Sequence, residues 1–317
     1  MDRLPIIDFA PFLSGSARGR TEVPRAIAEA AESIGFLYLA NHGIAQAVTD
    51  AAFAAGREFF DLPPQAKGEI RIREQRGYQA YMDVTREGYL PNLNESFFFG
   101  LDLGADDPDV KAGLPLHAAN QWPSAMPGFR TPMEAYFKQV FSLGNDLLRA
   151  CALALRLDEH FFAPYYEKPI PLVRIMHYPA SPGARPENQF GNPPHTDYGC
   201  LTLLAQDDIG GLAVRKRGGG WIEAPSLPGA MIINIGDMLM RWTNDKWVST
   251  LHQVINNPQR SRYSLPTFFD PAYRAKVACI ESCQGPGNPA KYPPITFGDY
   301  YKQGLDKTYA YRKTQKA

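Results

Sequence analysis

In the segment Pro194-His195-Thr196-Asp197, two side chains could bind one metal ion. Residues i and i+2 of a strand point to the same face, so His195 and Asp197 would project side by side. A third ligand has to come from elsewhere. His252, within Ser-Thr-Leu-His-Gln-Val, is the best candidate, because a later strand could return beside the first. Two neutral imidazoles and one carboxylate form a facial triad that leaves three positions of an octahedron open, which suits iron(II) and oxygen chemistry. Such a centre keeps a net positive charge and would attract an anionic, chelating keto acid. His-x-Asp alone is a common chance pattern, and a zinc hydrolase could use the same ligand types. The other histidines, His42, His117, His160 and His177, show no comparable arrangement.

One short strand-turn beyond His252 comes Arg262-Tyr263-Ser264. By the same spacing rule Arg262 and Ser264 share a face. A guanidinium can bind a carboxylate in bidentate fashion, and a neighbouring hydroxyl can add a hydrogen bond. An anion pocket next to a metal ligand favours oxidation with an anionic cosubstrate over zinc hydrolysis.

The elements that must position these residues are legible in outline. Val23, Ala26, Ile27, Ala30, Ala31 and Ile34 follow helical spacing, with Gly35 as the stop. Phe36 to Ala40 is a short strand. Further helices are expected over about Thr49 to Phe60 and Pro132 to Leu157. Near Pro169 the character changes. Short apolar runs now alternate with turn residues: Leu172 to Tyr178, Leu201 to Ala205, Leu212 to Val214, Met231 to Ile235, His252 to Ile255 and Tyr263 to Phe269. Many short strands with frequent turns predict a sandwich or barrel. The tail from Thr296 to about Tyr311 reads as a helix closing the barrel mouth. The expected division is a mixed α/β region over 1–115, connecting helices over 116–168, a β core over 169–275 and a closing segment over 276–317.

Composition sets the outer limits. The chain has 317 residues, 44% of them hydrophobic, enough for a sizeable core. Lys plus Arg and Asp plus Glu are both 33, and this balance argues against nucleic acid or an anionic membrane as the main partner. The start, MDRLPIIDFAPFL, is not a signal peptide, and no apolar run is long enough to span a bilayer. The expectation is a cytoplasmic monomer or weak homo-oligomer acting on a small molecule. Four cysteines are too sparse for a disulfide framework, and Cys279 with Cys283 lacks the second pair of a structural zinc site.

The order His-x-Asp, distal His, Arg-x-Ser resembles the 2-oxoglutarate- and iron(II)-dependent oxygenases, most closely the isopenicillin N synthase-like branch. The likeness extends over nearly the whole chain: Leu4-Pro-Ile-Ile-Asp8-Phe, Gly35-Phe-Leu-Tyr-Leu-Ala-Asn41-His42-Gly43-Ile, Phe59-Phe-Asp-Leu-Pro63, Arg76-Gly-Tyr78, Asn234-Ile-Gly-Asp237 and Arg241-Trp-Thr-Asn244. The resemblance implies a mainly β fold with flanking helices, a double-stranded β-helix or jelly roll. It implies that His195, Asp197 and His252 hold Fe(II). Arg262 and Ser264 would bind the distal carboxylate of 2-oxoglutarate, with Tyr178 assisting. Where many members carry Asn two residues before that tyrosine, this chain has Met176, and Pro193-Pro194 before the first ligand is unusual. His42 and Asp237 are read as structural by the same likeness.

The implied reaction consumes O2 and 2-oxoglutarate and releases succinate and CO2 while a substrate C–H bond is hydroxylated. An intact Asp197 speaks against halogenation, since a halide would need that position. Candidate substrate contacts are Tyr78, Tyr81, Tyr89, Asn94, Phe190, Asn192 and Phe268, and Arg86 is read mainly as a surface charge. The alternatives are an Fe(II) oxidase of the same fold that uses no 2-oxoglutarate, and a binding or sensor protein that retains the metal site.

Overall fold

Alternation at period two organises the larger sheet, sending one face of its central strands to a helical layer and the other into a cavity. The computed structural model describes residues 3–308. Its strands are β1 (Ile6–Asp8), β2 (Phe36–Ala40), β3 (Gly77–Gln79), β4 (Glu95–Gly100), β5 (Leu172–Tyr178), β6 (Asn192–His195), β7 (Leu201–Gln206), β8 (Leu212–Arg215), β9 (Trp221–Glu223), β10 (Ala230–Ile235), β11 (His252–Val254), β12 (Arg262–Phe269), β13 (Lys276–Val277) and β14 (Ile295–Thr296). Eight of them form one sheet in the order β1-β2-β10-β7-β12-β5-β4-β3, and four form a second in the order β6-β11-β8-β9. This is the jelly-roll core flanked by helices that the sequence predicts. Strands from the first hundred residues extend the same sheet as β5, β7, β10 and β12, so the N-terminal region and the core are structurally continuous.

On β12, Tyr263, Leu265 and Phe269 join the large apolar cluster, whereas Arg262, Ser264, Pro266 and Phe268 line the cavity. On β5, Val173 and Ile175 join that cluster, and Leu172, Arg174, Met176 and Tyr178 line the cavity. The cluster is completed by the helices Gly19–Ser33, Gln46–Phe60 and Arg130–Ala154. Their apolar stripes recur at three- and four-residue spacing, as a helix with one buried face requires. Each fully buried Phe or Leu there contributes on the order of 2 kcal/mol. A second, smaller cluster lies between the two sheets and includes Phe36, Tyr38, Leu204, Leu212, Val214, Ile232 and Val254.

Gly35 ends the first long helix as expected. Its φ is 69°, its amide donates to the Ala30 carbonyl at 2.9 Å, and a Cβ there would sit 2.0 Å from the Val248 carbonyl oxygen. The helix Phe297–Thr308 begins one residue after the expected start, and its Tyr301 and Leu305 reach the cavity mouth. The expected end near Tyr311 lies outside the described residues. Among the elements not anticipated are β3, β4, β9, β13 and β14, and the short helix Asp237–Trp242. No helix among the described residues is long and apolar enough to cross a membrane.

Candidate active site

His195 closes β6, and His252 opens β11 as its direct cross-strand partner. That register brings the two imidazole rings to a centroid distance of 4.1 Å. β6 lies at the edge of its sheet, where Pro193 and Pro194 cost no ladder hydrogen bond that a neighbour needs. Asp197 corrects the sequence reading in one respect. It lies two residues beyond the end of β6, just before a bend over 198–200, so its position is fixed by that following segment and not by a strand ladder. The bend is fastened by the Asp237 amide, which donates to the Asp197 carbonyl at 2.7 Å, and by Thr196 Oγ1, which donates to Asp237 Oδ2 at 3.0 Å. Asp237 therefore shapes the loop.

The carboxylate of Asp197 divides its labour. Oδ2 accepts from Thr202 Oγ1 at 2.6 Å and from Asn234 Nδ2 at 2.8 Å. Oδ1 faces His195 Nε2 at 3.8 Å and His252 Nε2 at 3.7 Å. On the far side of each ring, His195 Nδ1 donates to the Pro193 carbonyl at 2.8 Å and His252 Nδ1 to the Thr250 carbonyl at 3.2 Å. In the neutral tautomer these bonds leave both Nε2 atoms unprotonated beside Oδ1, with Asn192 Nδ2 donating to His195 Nε2 at 3.2 Å, and a carbonyl partner on Nδ1 is what orients metal-binding histidines. Burial first, then the nearby His252, Arg86 and Arg174 charges, push the His195 pKa well below the ordinary imidazole range, so the ring is neutral and able to ligate. Among the described residues, His195, Asp197 and His252 are the one group whose ligand atoms converge, within 4.8 Å of one another. Donor types, tautomers and geometry fit a six-coordinate divalent iron with one open face.

On the eight-stranded sheet, lining the same cavity, Arg262 is 1% exposed and Ser264 is 1% exposed. Arg262 pairs directly with Tyr178 and Ser264 with Met176 across the β12–β5 ladder. Gln206 Oε1 accepts from Arg262 Nη2 at 2.9 Å. Nε and Nη1 of Arg262 are buried without a hydrogen-bond partner among the described residues. A buried cation with two idle donors is costly unless an anion meets it, and a carboxylate of the cosubstrate fits that need. The Tyr178 hydroxyl donates to Met176 Sδ at 3.1 Å, so the thioether takes up a contact beside the buried guanidinium.

The cavity that holds these groups encloses about 1230 Å³ measured out to its open mouth. Of the seven candidate substrate residues, Asn192 and Phe268 line it. The other five are placed elsewhere. Tyr78 is buried in the core, with its hydroxyl donating to Glu95 Oε2 at 2.5 Å. Tyr81 is exposed. Tyr89 packs edge-on against Phe190 at 5.6 Å, and Arg185 covers the Phe190 ring. Asn94 is buried, with Nδ2 donating to the Gly191 carbonyl at 2.5 Å. Arg86, read as a surface charge, is only partly exposed and lines the cavity. His42 is not among the lining residues; its Nδ1 accepts from the Ile44 amide at 3.2 Å within a turn.

Sequence reasoning passed over Thr202, Asn234, Gln206 and Arg174. The available signal was a polar residue breaking an apolar strand, as in Leu201-Thr-Leu-Leu, Met231-Ile-Ile-Asn and Leu172-Val-Arg-Ile. A polar group at such a position must find a partner, and here the partner is the site.

Comparison with known proteins agrees with this geometry. Residues 169–271 match the 2OG-Fe(II) oxygenase superfamily, and residues 4–125 match the N-terminal region of non-haem dioxygenases in morphine synthesis. The chain is 35% identical to the 2-oxoglutarate-Fe(II) type oxidoreductase hxnY of Emericella nidulans, over 98% of this chain and 92% of that one. A full-length Neurospora crassa protein, solved in complex with alpha-KG and thymine, superposes with a TM-score of 0.84 at 30% identity, covering 95% of this chain and 96% of the other. A 2OG-Fe(II) oxygenase family protein from Caulobacter crescentus gives a TM-score of 0.85 at 30% identity, over 97% and 99% of the two chains.

Proposed function

The chain belongs to the 2OG-Fe(II) oxygenase superfamily, and we propose that within it the enzyme hydroxylates an unactivated C–H bond of a small organic molecule. One oxygen atom of O2 enters the substrate as the new hydroxyl. The other enters the carboxylate that 2-oxoglutarate gains as it loses CO2 and becomes succinate. The observation that carries the reading is Arg262, buried with two idle donors in the cavity that also holds the triad.

Bound iron(II) supplies the oxygen-activating chemistry. In this reading His195 Nε2, His252 Nε2 and Asp197 Oδ1 hold it. Arg262 and Ser264 take the distal carboxylate of 2-oxoglutarate. Tyr178 lies under the guanidinium, its ring centroid 4.8 Å from Arg262 Cζ, and keeps the fork in plane for a bidentate contact. Phe98, Leu204, Leu212 and Phe268 supply an apolar wall, and Tyr301 and Leu305 of the closing helix narrow the mouth. Water is thereby limited around the reacting carbon. Because Asp197 fills a ligand position, oxygen rather than halide transfer is the expected outcome.

The test is anaerobic addition of iron(II) and 2-oxoglutarate to the purified protein. A weak visible charge-transfer band is expected, together with succinate release once air and substrate are admitted, and both should vanish in His195→Ala. A folded protein that binds iron(II) yet shows neither band nor succinate would contradict the assignment.

A further inference from the structure

Arg262 is not the only guanidinium in the cavity. Arg86 and Arg174 also line it. Arg174 sits on the same face of β5 as Met176 and Tyr178, four residues before Tyr178, which is the cross-strand partner of Arg262. At ~3.3 Å per residue that is roughly 13 Å along the strand. A five-carbon diacid has four C–C bonds of ~1.5 Å, so it is roughly 6 Å long at most. Arg174 therefore stands too far along the wall to share the carboxylate that Arg262 would hold. It belongs to the other end of the cavity, beside Leu172 and Phe268.

The two arginines are built differently. Arg174 is fixed: Nε donates to Ser96 Oγ at 3.0 Å, Nη2 donates to Gln79 Oε1 at 3.1 Å, and the guanidinium lies over the Phe98 ring at 4.7 Å. An arginine already held in place loses little freedom when an anion docks. Arg86 comes from the loop between β3 and β4, whose Tyr81, Met82 and Leu90 are exposed apolar side chains. Its Nε is buried and has no hydrogen-bond partner among the described residues. The loop is tied down by the Leu90 amide on the Asn188 carbonyl at 3.1 Å and the Leu93 amide on the Phe190 carbonyl at 2.8 Å, so Arg86 is presented from an anchored segment. Phe98, Leu172, Pro266, Phe268 and Leu305 supply apolar lining alongside the polar Gln75, Gln79 and Asp270.

We propose that the substrate is a small carboxylate with an apolar body, its carboxylate bound by Arg86 and Arg174 at the end of the cavity remote from Arg262. The apolar body then lies between that anchor and the metal, and oxidation falls on a carbon of the body, leaving the carboxylate intact in the product. This rests on the oxygenase reading above and narrows it to a substrate class.

The experiment uses matched acid and amide pairs: phenylacetate with phenylacetamide, 3-phenylpropanoate with its amide, and hexanoate with hexanamide. Binding to the metal-free chain is measured by calorimetry for the wild type, Arg86→Gln, Arg174→Gln and Arg262→Ala, with circular dichroism to verify folding. At least one acid should bind at least about tenfold tighter than its amide, the value of one hydrogen bond to a charged group. That preference should persist in Arg262→Ala and fall by about tenfold in Arg86→Gln. Arg174→Gln should behave like Arg86→Gln, and the exposed loop makes Arg86→Gln the safer variant if Arg174→Gln does not fold. Equal binding of acids and amides, binding of no acid, or a preference lost in Arg262→Ala instead of Arg86→Gln would overturn the proposal. The charge-transfer band of the same preparations with iron(II) and 2-oxoglutarate reports on the oxygenase reading separately. A band without acid preference sinks only the substrate class, and an acid preference without a band sinks only the oxygenase chemistry.

Discussion

Arg262 and Tyr178 are direct partners across the β12–β5 ladder, and the guanidinium carbon lies 4.8 Å from the centroid of the tyrosine ring. The pairing holds the fork flat while Gln206 takes one of its nitrogens, leaving two donors for an anion. Arg262→Lys keeps the charge but loses the planar fork. The expected result is a KM for 2-oxoglutarate raised by about tenfold or more, with a smaller change in kcat at saturation. Arg262→Ala should cost about 2–5 kcal/mol of cosubstrate binding, the usual loss when one side of a buried charged pair is removed. Titration of the charge-transfer band with 2-oxoglutarate checks both, and an unchanged midpoint in Arg262→Ala would remove this arginine from the cosubstrate site.

Thr202 and Asn234 both donate to Asp197 Oδ2, which leaves Oδ1 for the metal. Thr202→Val preserves shape and deletes one donor, so the carboxylate can rotate. Loss of such a supporting hydrogen bond typically lowers metal affinity about 10- to 100-fold. Competition against a metal-sensitive dye should show that drop for iron(II), while far-UV dichroism stays native. A variant that binds iron(II) as tightly as the wild type would show that the Asn234 bond alone suffices.

Asp270 is buried and lines the cavity, and burial, reinforced by the charge of Asp197, raises its pKa to about 7 even though the Cys200 amide donates to it at 2.7 Å. Gly199 makes the approach possible, since a Cβ there would lie 2.0 Å from Asp270 Oδ1. In the unfolded chain an aspartate titrates near ~3.9. Between about 4 and about 7 the folded state therefore holds a proton that the unfolded state has released. Stability from this residue is full below the unfolded pKa and declines as pH rises through that window. The decline amounts to a few kcal/mol, at roughly 1.4 kcal/mol for each tenfold difference in proton affinity between the two states. Asp270→Asn keeps an acceptor for Cys200 and should flatten the profile. Urea midpoints of the metal-free protein from pH 4 to 7 decide the matter: parallel profiles for the two proteins would refute the assignment.

The triad and the Arg-x-Ser pair stood out because their residue types are rare in combination, and for Arg262 and Ser264 the spacing encodes one face of a strand. The β core was legible for the same reason, with β5, β7, β10 and β12 ending within about a residue of the expected runs. Asp197 was legible by type but not by placement, because the segment that fixes it depends on Asp237, forty positions downstream. Substrate contacts were the least legible. Aromatic side chains such as Tyr78 and Phe190 satisfy core packing as readily as ligand binding, and the choice depends on which face of a strand or loop they occupy. Arg174 was passed over because a charge inside an apolar strand has no local explanation until Gln79, Ser96 and Phe98 are brought beside it.

Tyr78 leads to the last expectation. Its hydroxyl, Lys67 Nζ at 2.8 Å and His177 Nδ1 at 2.9 Å all converge on the Glu95 carboxylate, and Lys67 also donates to the Phe60 carbonyl at 2.8 Å. Burial pushes the Glu95 pKa up, but the bonds from His177, Lys67 and Tyr78 outweigh it and hold the group below its ordinary value. The cluster lies behind the cavity wall, where Glu95 and His177 are cross-strand partners on β4 and β5. Lys67→Met strips the buried carboxylate of its cation, which typically costs about 3–5 kcal/mol. Glu95→Gln added to Lys67→Met removes the stranded charge as well, so the double variant should be more stable than the sum of the two single losses implies. Urea unfolding of all four proteins measures that coupling. Additive losses, or a Lys67→Met protein within about 1 kcal/mol of the wild type, a loss well short of that expected for breaking a buried pair, would show that the remaining donors from Tyr78 and His177 suffice to hold Glu95 ionised.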